Sequence, residues 1–328
     1  MIRLMDCTLR DGANVVGKGF DAQLTRLMLD GMINSGIQLI EMGHALGLGS
    51  PVMTELSDEQ YLSIAQEYTS RAKVGMFMGH QNANEEAIRK AKTANLHFLR
   101  VGANAGDGEK AVRAVKMVKD AGLVCCYSLM KAYVVSAEEL AEEAYFLQEN
   151  GVDAVTIMDS AGTMRPEQVT AYVRALKQKC SIPIAFHGHN NLGLAVANAL
   201  AAYQAGVDEI DCCLMGMARS AGNIPLEIIV PMLQEKGEFE EIDFYALLSY
   251  LDEKLIPAMK EKNFHCAISP IDLICGISGC HSNFLGLFKK VAEEENVPLY
   301  HLIMEVSKEN RKNPSEDQIR MIAATLKA

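Results

Sequence analysis

Residues 154–186, AVTIMDSAGTMRPEQVTAYVRALKQKCSIPIAF, contain one complete copy of the pattern that decides the fold. A short apolar run is followed by a turn with Asp, Ser and Gly, then by an amphipathic segment, and then by a second apolar run. Short apolar runs predict buried β-strands, and the amphipathic segment predicts a helix between them. The stretch therefore predicts two parallel strands joined by a helical crossover.

The same pattern recurs along the first 240 residues. Eight βα units in this length are typical of an α/β fold of the closed (β/α)8 type, the TIM barrel. An open doubly wound sheet is the alternative, but the repeats are even in length and no G-x-G-x-x-G motif follows the first strand. The eight predicted strands cover residues 2–7, 38–42, 73–78, 98–101, 124–129, 154–158, 184–186 and 209–213.

The repeat ends at a polar segment, KGEFEEID, residues 236–243. The remaining residues, 244–328, are predicted to form a mostly helical tail. We expect a catalytic barrel over residues 1–240 and a helical C-terminal region over residues 241–328. This region is expected to cover the barrel mouth and to offer a contact surface to a partner.

Composition narrows the classes of function. The chain of 328 residues is 49% hydrophobic, which is ample for a large core, and its net charge of -11 disfavours nucleic acid and anionic membranes as partners. Its nine cysteines are an odd number, and two pairs of neighbours lie inside apolar runs, which favours a reducing compartment. No signal peptide or membrane span is expected, so the predicted location is the cytoplasm.

Polar residues directly after the predicted strands are the candidates for a functional site. In a (β/α)8 barrel the active site lies at the carboxyl ends of the strands, so these side chains meet at one end of the barrel. From the first strand to the eighth, the candidates include Arg10, Asp11, Asn14, His44, Lys131, His187, His189, Arg219 and Asn223.

The clearest candidates are His187 and His189 at the end of the seventh strand. Alternate residues of an extended segment point the same way, so the two imidazoles are expected to project together. They suit a divalent transition metal, with Asp11 after the first strand as the natural carboxylate ligand, and this ligand set also admits zinc or cobalt. The alternative is that each histidine only ends a strand with a hydrogen bond.

Three segments in combination carry a resemblance to a known family: DCTLRDGANV (residues 6–15), HGHNNLGLAVANAL (187–200) and GMARSAGNIPLE (216–227). They resemble the DRE-type metal-dependent lyases and synthases, and among these most closely the 4-hydroxy-2-oxovalerate aldolases. Weaker similarity in EMGHALGLGS (41–50), MDSAGTM (158–164) and ISGCHSNFL (277–285) extends over most of the chain.

The resemblance implies a carbon–carbon lyase, a class II pyruvate aldolase. Such an enzyme cleaves a 4-hydroxy-2-oxo acid to pyruvate and an aldehyde through a metal-bound pyruvate enolate. The resemblance implies that Asp11, His187 and His189 hold Mn²⁺ or Mg²⁺. It also implies that Arg10 stabilises the enolate and that Asn223 lies beside the metal. A cation and a guanidinium are suited to the negative charge that develops on the enolate oxygen.

The general base departs from the family pattern. The aldolases use a histidine a few residues after the RDG turn, assisted by a tyrosine in the C-terminal region. The corresponding positions here resemble Asn14 and His281, and an amide does not take up a proton at ordinary pH. We expect His281 to be the general acid/base, with His44 as a second candidate, although His281 as a surface residue is an equal alternative.

Two cationic residues, Lys131 and Arg219, affect which substrate and which reaction are expected. Lys131 is expected either to meet an anionic substrate or to cap a surface loop, and Arg219 resembles the Claisen-type synthases that join acyl-coenzyme A to a 2-oxo acid. Such a synthase is the alternative enzyme, and a metal-binding partner subunit or scaffold is the alternative without catalysis. The expected ligand is a small 2-oxo acid, and a homo-oligomer is expected. The resemblance also implies a possible partner, an acylating aldehyde dehydrogenase.

Overall fold

The computed structural model describes residues 1–264 and 270–327, apart from the side chains of Tyr245, Pro270, Asp272, Leu273 and Ile277. The predicted helical tail, residues 244–328, therefore includes residues 265–269 and 328, which lie outside the described part.

Eight parallel strands pair in sequence order, and the last pairs with the first to close a barrel. The predicted TIM barrel is confirmed, and the open doubly wound sheet is excluded. Every predicted strand is present, and its ends differ from the predicted ones by at most three residues. The strands are β1 (Arg3–Asp6), β2 (Leu39–Met42), β3 (Lys73–Gly79), β4 (Phe98–Asn104), β5 (Val124–Met130), β6 (Ala154–Asp159), β7 (Ile184–Gly188) and β8 (Glu209–Cys212).

The largest difference at a strand end is in β4, which continues from Val101 to Asn104. Residues 102–104 are Gly-Ala-Asn, which do not look like strand residues in the sequence. They remain extended because they pair in register with β5, from Gly102 opposite Ser128 to Asn104 opposite Met130. Pairing between neighbours therefore sets the strand end where local composition does not.

Helices connect the strands and also form the tail. The capping boxes predicted at Ser57 with Gln60 and at Ser136 with Glu139 are both present, and each begins a crossover helix. The crossover helices are α1 (Ala22–Asn34), α2 (Asp58–Tyr68), α3 (Glu85–Thr93), α4 (Gly108–Asp120), α5 (Ala137–Glu149), α6 (Pro166–Lys179), α7 (Ala195–Gln204) and α8 (Leu226–Gln234). The tail helices are α9 (Phe244–Tyr250), α10 (Ile256–Lys260), α11 (Pro270–Ser278), α12 (Leu285–Glu295), α13 (Leu299–Glu309) and α14 (Glu316–Thr325).

Two of the three hydrophobic clusters among the described residues are large. The larger one fills the space between strands and crossover helices, and it continues through Leu247 and Leu255 to Met259. Tyr250 of α9 packs so closely on Gly31 of α1 that a Cβ there would lie 2.2 Å from its ring. The smaller cluster joins α11 to α14. The division of the chain near residue 240 stays a prediction, since hydrophobic contacts continue across that point.

The tail contacts the loops at the carboxyl ends of β5 and β7. The Lys131 ammonium after β5 donates to the Lys312 carbonyl oxygen at 2.6 Å. Gly276 in α11 lies so close to Asn191 after β7 that an added Cβ would be 2.8 Å from the Asn191 Cβ. The tail therefore reaches the end of the barrel where the candidate residues lie.

The barrel interior contains a charged network. Arg100 on β4 is fully buried, and its guanidinium contacts Asp211 on β8 at 2.5 Å and Glu41 on β2 at 3.3 Å. Glu209, also on β8, lies 3.8 Å from the same guanidinium. Three buried carboxylates thus share one buried cation, and this arrangement connects the barrel core to the residues at its mouth.

Candidate metal centre

Asp11, His187 and His189 converge at the carboxyl end of the barrel. Asp11 precedes a short 3-10 turn after β1, His187 lies within β7, and His189 follows that strand. All three are buried, and one ligand atom from each lies within 4.8 Å of the other two. The alternation of residues along β7 brings both imidazoles to Asp11, as the sequence predicts.

The distances suit a single ion. Asp11 Oδ2 lies 3.4 Å from Nε2 of His187 and 3.4 Å from Nε2 of His189. Both Nε2 atoms are buried and have no hydrogen-bond partner in the described part of the chain. Buried polar atoms are rarely left unpaired, so two such nitrogens facing one carboxylate are what a divalent cation would satisfy.

The protonation states of Asp11 and His189 also favour the binding of a divalent metal. Burial raises the pKa of Asp11, but Arg10, Arg219 and the two histidines outweigh this effect and hold that pKa well below its usual range. Burial lowers the pKa of His189 well below its usual range, so this imidazole is neutral at physiological pH. An ionised carboxylate and a neutral imidazole are the forms that bind metals.

His187 has a fixed orientation. Its Nδ1 lies 3.0 Å from Asp211 Oδ2, so Nδ1–H donates to that carboxylate and Nε2 faces Asp11. Burial lowers the pKa of His187, but the neighbouring carboxylates of Asp11 and Asp211 raise it more, and the net direction is upward. Asp211 was missed in the sequence because only residues after the strands were considered. An acidic residue inside the apolar run of β8 is the signal that was available.

We expect Asp211→Asn to weaken divalent-metal binding by about 10- to 100-fold, because the amide holds His187 less well in the tautomer with a free Nε2. The measurement is a competition titration of Mn²⁺ against a chelator. Asp208→Asn is the control, since this aspartate pairs with exposed Lys177 at the other end of β8. Equal metal affinity in Asp211→Asn and the parent would contradict the positioning role.

A second group of side chains has ligand spacing but unsuitable chemistry. Cys7, His187 and Asp211 also have ligand atoms within 4.8 Å of one another. Burial raises the pKa of the Cys7 thiol well above its usual value, and Asp211 is paired with Arg100. A thiolate is the metal-binding form of cysteine, so this group is the poorer site.

Arg10 lies against the same cluster. Its Nε donates to Glu41 at 2.6 Å and its Nη1 contacts Asp11 Oδ1 at 3.1 Å, while the guanidinium stacks 5.4 Å from the Phe77 ring centre. Its Nη2 is buried without a partner among the described residues. The guanidinium is therefore held in place with donors left for an anionic ligand. Glu41, inside β2, was missed for the same reason as Asp211.

Two amides support Asp11. Asn14 Nδ2 donates to the Asp11 carbonyl at 2.9 Å and approaches its carboxylate at 3.3 Å. Asn223 Nδ2 donates to Asp11 Oδ2 at 2.9 Å, and its own Oδ1 is buried without a described partner. Asn223 therefore lies beside the candidate metal centre, and Asn14 positions its carboxylate.

Arg219 lies at the edge of the cluster. Its Nη1 is 4.0 Å from Asp11 Oδ1, and its buried Nε has no described hydrogen-bond partner. Together with Asn14 it lines a cavity of about 270 Å³ at the barrel mouth. A larger cavity of about 510 Å³ lies at the opposite end of the barrel, beside Arg3 and Lys73 at the starts of β1 and β3. The smaller cavity adjoins the candidate metal centre, whereas the larger one does not.

His44 and His281 occupy different surroundings. The hydrogen bonds of His44 join it to Asp58 at 3.0 Å and to the Leu46 backbone at 3.3 Å, so neither nitrogen contacts the metal cluster. His281 is buried, and its Nδ1 accepts from the Asn283 backbone N–H at 3.2 Å. Burial and the nearby cations Arg219 and Lys131 lower the pKa of His281 well below its usual value.

The fold and these side chains together have the form of a (β/α)8-barrel enzyme with its polar site at the carboxyl ends of the strands. The HMGL-like family model matches residues 1–253, and the chain belongs to that family.

Similar proteins extend this finding over nearly the whole chain. A 4-hydroxy-2-oxovalerate aldolase from Serratia proteamaculans is 32% identical over 99% of this chain and 98% of its own length. One from Geobacillus genomosp. 3 is 30% identical over 99% of this chain and 97% of its own. The family resemblance noted in the sequence is confirmed, as is the predicted class of carbon–carbon lyase.

A solved structure gives the same fold. The carboxyl transferase domain of Rhizobium etli pyruvate carboxylase has a TM-score of 0.76 at 15% identity, covering 99% of this chain and 60% of that one. Among the helices described here, none combines the length and apolar character needed to span a bilayer.

Proposed function

We propose that the protein is a divalent-metal-dependent aldolase that cleaves a 4-hydroxy-2-oxo acid to pyruvate and an aldehyde. The observation that carries this proposal is the convergence of Asp11, His187 and His189 beside the guanidinium of Arg10. The aldolase relatives support the reaction, and the buried Nε2 atoms of both histidines support the metal.

The residues present fit a divalent ion. Asp11, His187 and His189 would hold it, with the Asn223 amide beside them. When bound, such an ion supplies a Lewis acid that polarises the 2-oxo group. We propose Mn²⁺ or Mg²⁺ as the ion, while Zn²⁺ or Co²⁺ also suits two imidazoles and a carboxylate.

Arg10 stabilises the enolate that carbon–carbon cleavage leaves behind. Its Nη2 carries donors with no described partner, and Glu41 together with the Phe77 ring fixes the plane of the guanidinium. Donors fixed before the reaction lower the barrier because they need not reorganise when charge develops.

His281 is proposed as the general acid/base. Because its Nδ1 accepts from Asn283, the neutral ring carries its proton on Nε2 and is set to donate. To accept a proton at Nε2, the ring must first release Nδ1 from this bond. Asn14 binds Asp11 instead and, being an amide, takes no proton.

We expect His281→Asn to lower kcat by about 10²-fold and to remove one limb of the pH–rate profile, because proton transfer at the site is lost. The measurement is steady-state pyruvate formation over a range of pH. His301→Asn, on an exposed face of α13, is the matched control. Unchanged turnover with an unchanged profile would assign the proton transfer to another group.

The proposed function is tested with 4-hydroxy-2-oxovalerate and Mn²⁺, following pyruvate release. Exchange of pyruvate methyl protons with deuterium tests enolate formation separately. Thiol release from acetyl-coenzyme A with a 2-oxo acid would instead identify the Claisen-type synthase. Stoichiometric metal with neither turnover nor exchange would favour a binding subunit.

We also propose that the protein is cytoplasmic and forms a homo-oligomer, and that an acylating aldehyde dehydrogenase is its partner. The eight cysteines among the described residues are all free, which supports a reducing compartment. The reactive aldehyde product supports a partner that consumes it. Light scattering of the purified protein tests the oligomer, and co-purification from native cells tests the partner.

A further inference from the structure

Cationic and donor side chains extend across the barrel mouth, from Arg219 beside Asp11 to Lys131 on the opposite side. Lys131 follows β5, and in a barrel whose eight strands pair in sequence order β5 is opposite β1. Arg219 follows β8 and contacts Asp11 at 4.0 Å. A ligand held at one end by Asp11, His187 and His189 and extending across the mouth would therefore point towards Lys131.

The backbone of Lys131 has an unusual conformation that a hydrogen bond supports. Its backbone has φ 56° and ψ 42°, a left-handed conformation that is unfavourable for a residue with a side chain. The Ser160 hydroxyl accepts from the Lys131 backbone N–H at 2.9 Å and fixes this conformation. The ammonium then lies 5.1 Å from the centre of the Phe284 ring in the tail.

The Lys131 ammonium is buried and has no anionic partner among the described side chains. Only 8% of the residue is exposed, and the only described hydrogen bond of Nζ is to the Lys312 carbonyl. An ammonium has three N–H donors, so two are left for a ligand. Burial, Arg219 and Lys312 together lower the pKa of Lys131 to about 8, and the Asp107 carboxylate offsets only part of this shift.

Two further donors at this place are also unsatisfied. The Tyr133 hydroxyl and Arg219 Nε are buried with no hydrogen-bond partner among the described residues. Burial raises the pKa of Tyr133 well above its usual value, so its hydroxyl stays protonated and can donate. Buried donors near an unpaired cation are the components of an anion site.

We propose that Lys131, Arg219 and the Tyr133 hydroxyl bind a carboxylate on the half of the substrate that leaves as the aldehyde. This inference rests on the proposed function and names its substrate class: a 4-hydroxy-2-oxo acid with a second carboxylate, cleaved to pyruvate and an oxo acid. Retro-aldol cleavage breaks the C3–C4 bond, the C4 hydroxyl loses its proton to become a carbonyl, and C3 of the enolate takes up a proton. No oxidant or reductant is needed.

The distribution of charge at the mouth favours a substrate with two carboxylates over a substrate with one. Arg10 is already paired with Glu41 and Asp11, whereas Lys131 makes no ion pair with any described side chain. A substrate with a single carboxylate at the metal end leaves Lys131 unpaired inside the protein. A dicarboxylate places an anion at each end of the mouth.

Binding of two analogues that lack the 4-hydroxyl, and so do not undergo cleavage, tests the inference without catalysis. The analogues are 2-oxoglutarate, with a carboxylate at C5, and 2-oxovalerate, with a methyl at C5. We expect Mn²⁺-loaded protein to bind 2-oxoglutarate at least tenfold more tightly in calorimetry, and Lys131→Met to remove most of this preference. Tyr133→Phe, which deletes only the hydroxyl, is expected to reduce it and serves if Lys131→Met does not fold.

Lys312→Met is the matched control, because the Lys312 ammonium pairs with Asp107 and only its backbone carbonyl contacts Lys131. This variant is expected to keep the preference for 2-oxoglutarate. Equal affinity of the parent for both analogues would overturn the inference, as would equal losses for both in Lys131→Met.

Cleavage kinetics separate the inference from the proposed function. We expect kcat/KM for 4-hydroxy-2-oxoglutarate to exceed that for 4-hydroxy-2-oxovalerate at least tenfold. Pyruvate proton exchange without any preference for dicarboxylates would leave the aldolase in place and overturn the carboxylate site. A Lys131-dependent preference in calorimetry, with neither exchange nor cleavage, would leave the site in place and overturn the aldolase.

Discussion

Replacement of His189 by alanine is expected to remove the bound divalent metal and to lower kcat by about 10³-fold or more. A divalent ion held there would, as a Lewis acid, lower the barrier by several kcal/mol, and each 1.36 kcal/mol corresponds to about a tenfold change in rate. Neither ring nitrogen of His189 has a described hydrogen-bond partner, so its loss should disturb the fold little. Elemental analysis measures the metal, and pyruvate release measures the rate.

The controls for this prediction separate loss of metal from loss of structure. His301→Ala removes an exposed histidine on α13 and should keep both metal content and activity. Asp11→Asn removes the charge of the carboxylate and should behave as His189→Ala does. Full metal occupancy with parental activity in either metal-site variant would refute the proposed centre.

Replacement of Arg100 by methionine is expected to lower the free energy of unfolding by about 3–5 kcal/mol, because the carboxylates around it lose their buried cation. Urea unfolding followed by circular dichroism measures the change. Arg71→Met is the control, since Arg71 forms an exposed ion pair with Asp30 that contributes about 1 kcal/mol or less.

The loss of stability in Arg100→Met should be smaller at low pH than at high pH. Burial raises the pKa of Glu209 from 4.5 to about 7 in the folded protein, even with Arg100 present. Between these values the folded state binds more protons than the unfolded state, so this carboxylate lowers stability progressively as pH rises. Arg100→Met should therefore be closest to the parent near pH 5. A deficit under 1 kcal/mol at pH 8 would refute the network's role.

The strands and the candidate ligands were predictable because both depend on short-range patterns. An apolar run such as residues 154–158 forms a strand wherever the barrel buries both faces. His187 and His189 point together because residues alternate along one strand, and Asp11 meets them because all strands end at the same face.

The residues that position the ligands were not predictable in the same way. Asp211 and Glu41 lie inside strands, where a pattern search expects core residues, and their partners are far away in sequence. Arg100 contacts Asp211 across 111 positions of the chain. Only the closed barrel shows that these inward-facing charges neutralise one another.

The proposed general base, His281, could be only partly predicted from the sequence. His281 was singled out because the family tyrosine is replaced, and it lies in the tail near Lys131 and Arg219. Its tautomer depends on the Asn283 backbone N–H, a contact that no spacing in the sequence reveals. His44 follows a strand as the other candidates do, yet its ring is hydrogen-bonded to Asp58 and not to the cluster.

The shared position of Asp211 between His187 and Arg100 has a consequence for engineering this barrel. A designer who seeks thermostability by filling the interior with hydrocarbon would delete the group that orients an imidazole at the rim. The stability of the barrel interior and the geometry of the metal site therefore depend on the same residue. Selection for stability should therefore also affect activity. Stabilised variants that stay active should retain the charged network inside the barrel and carry their changes in the outer helices.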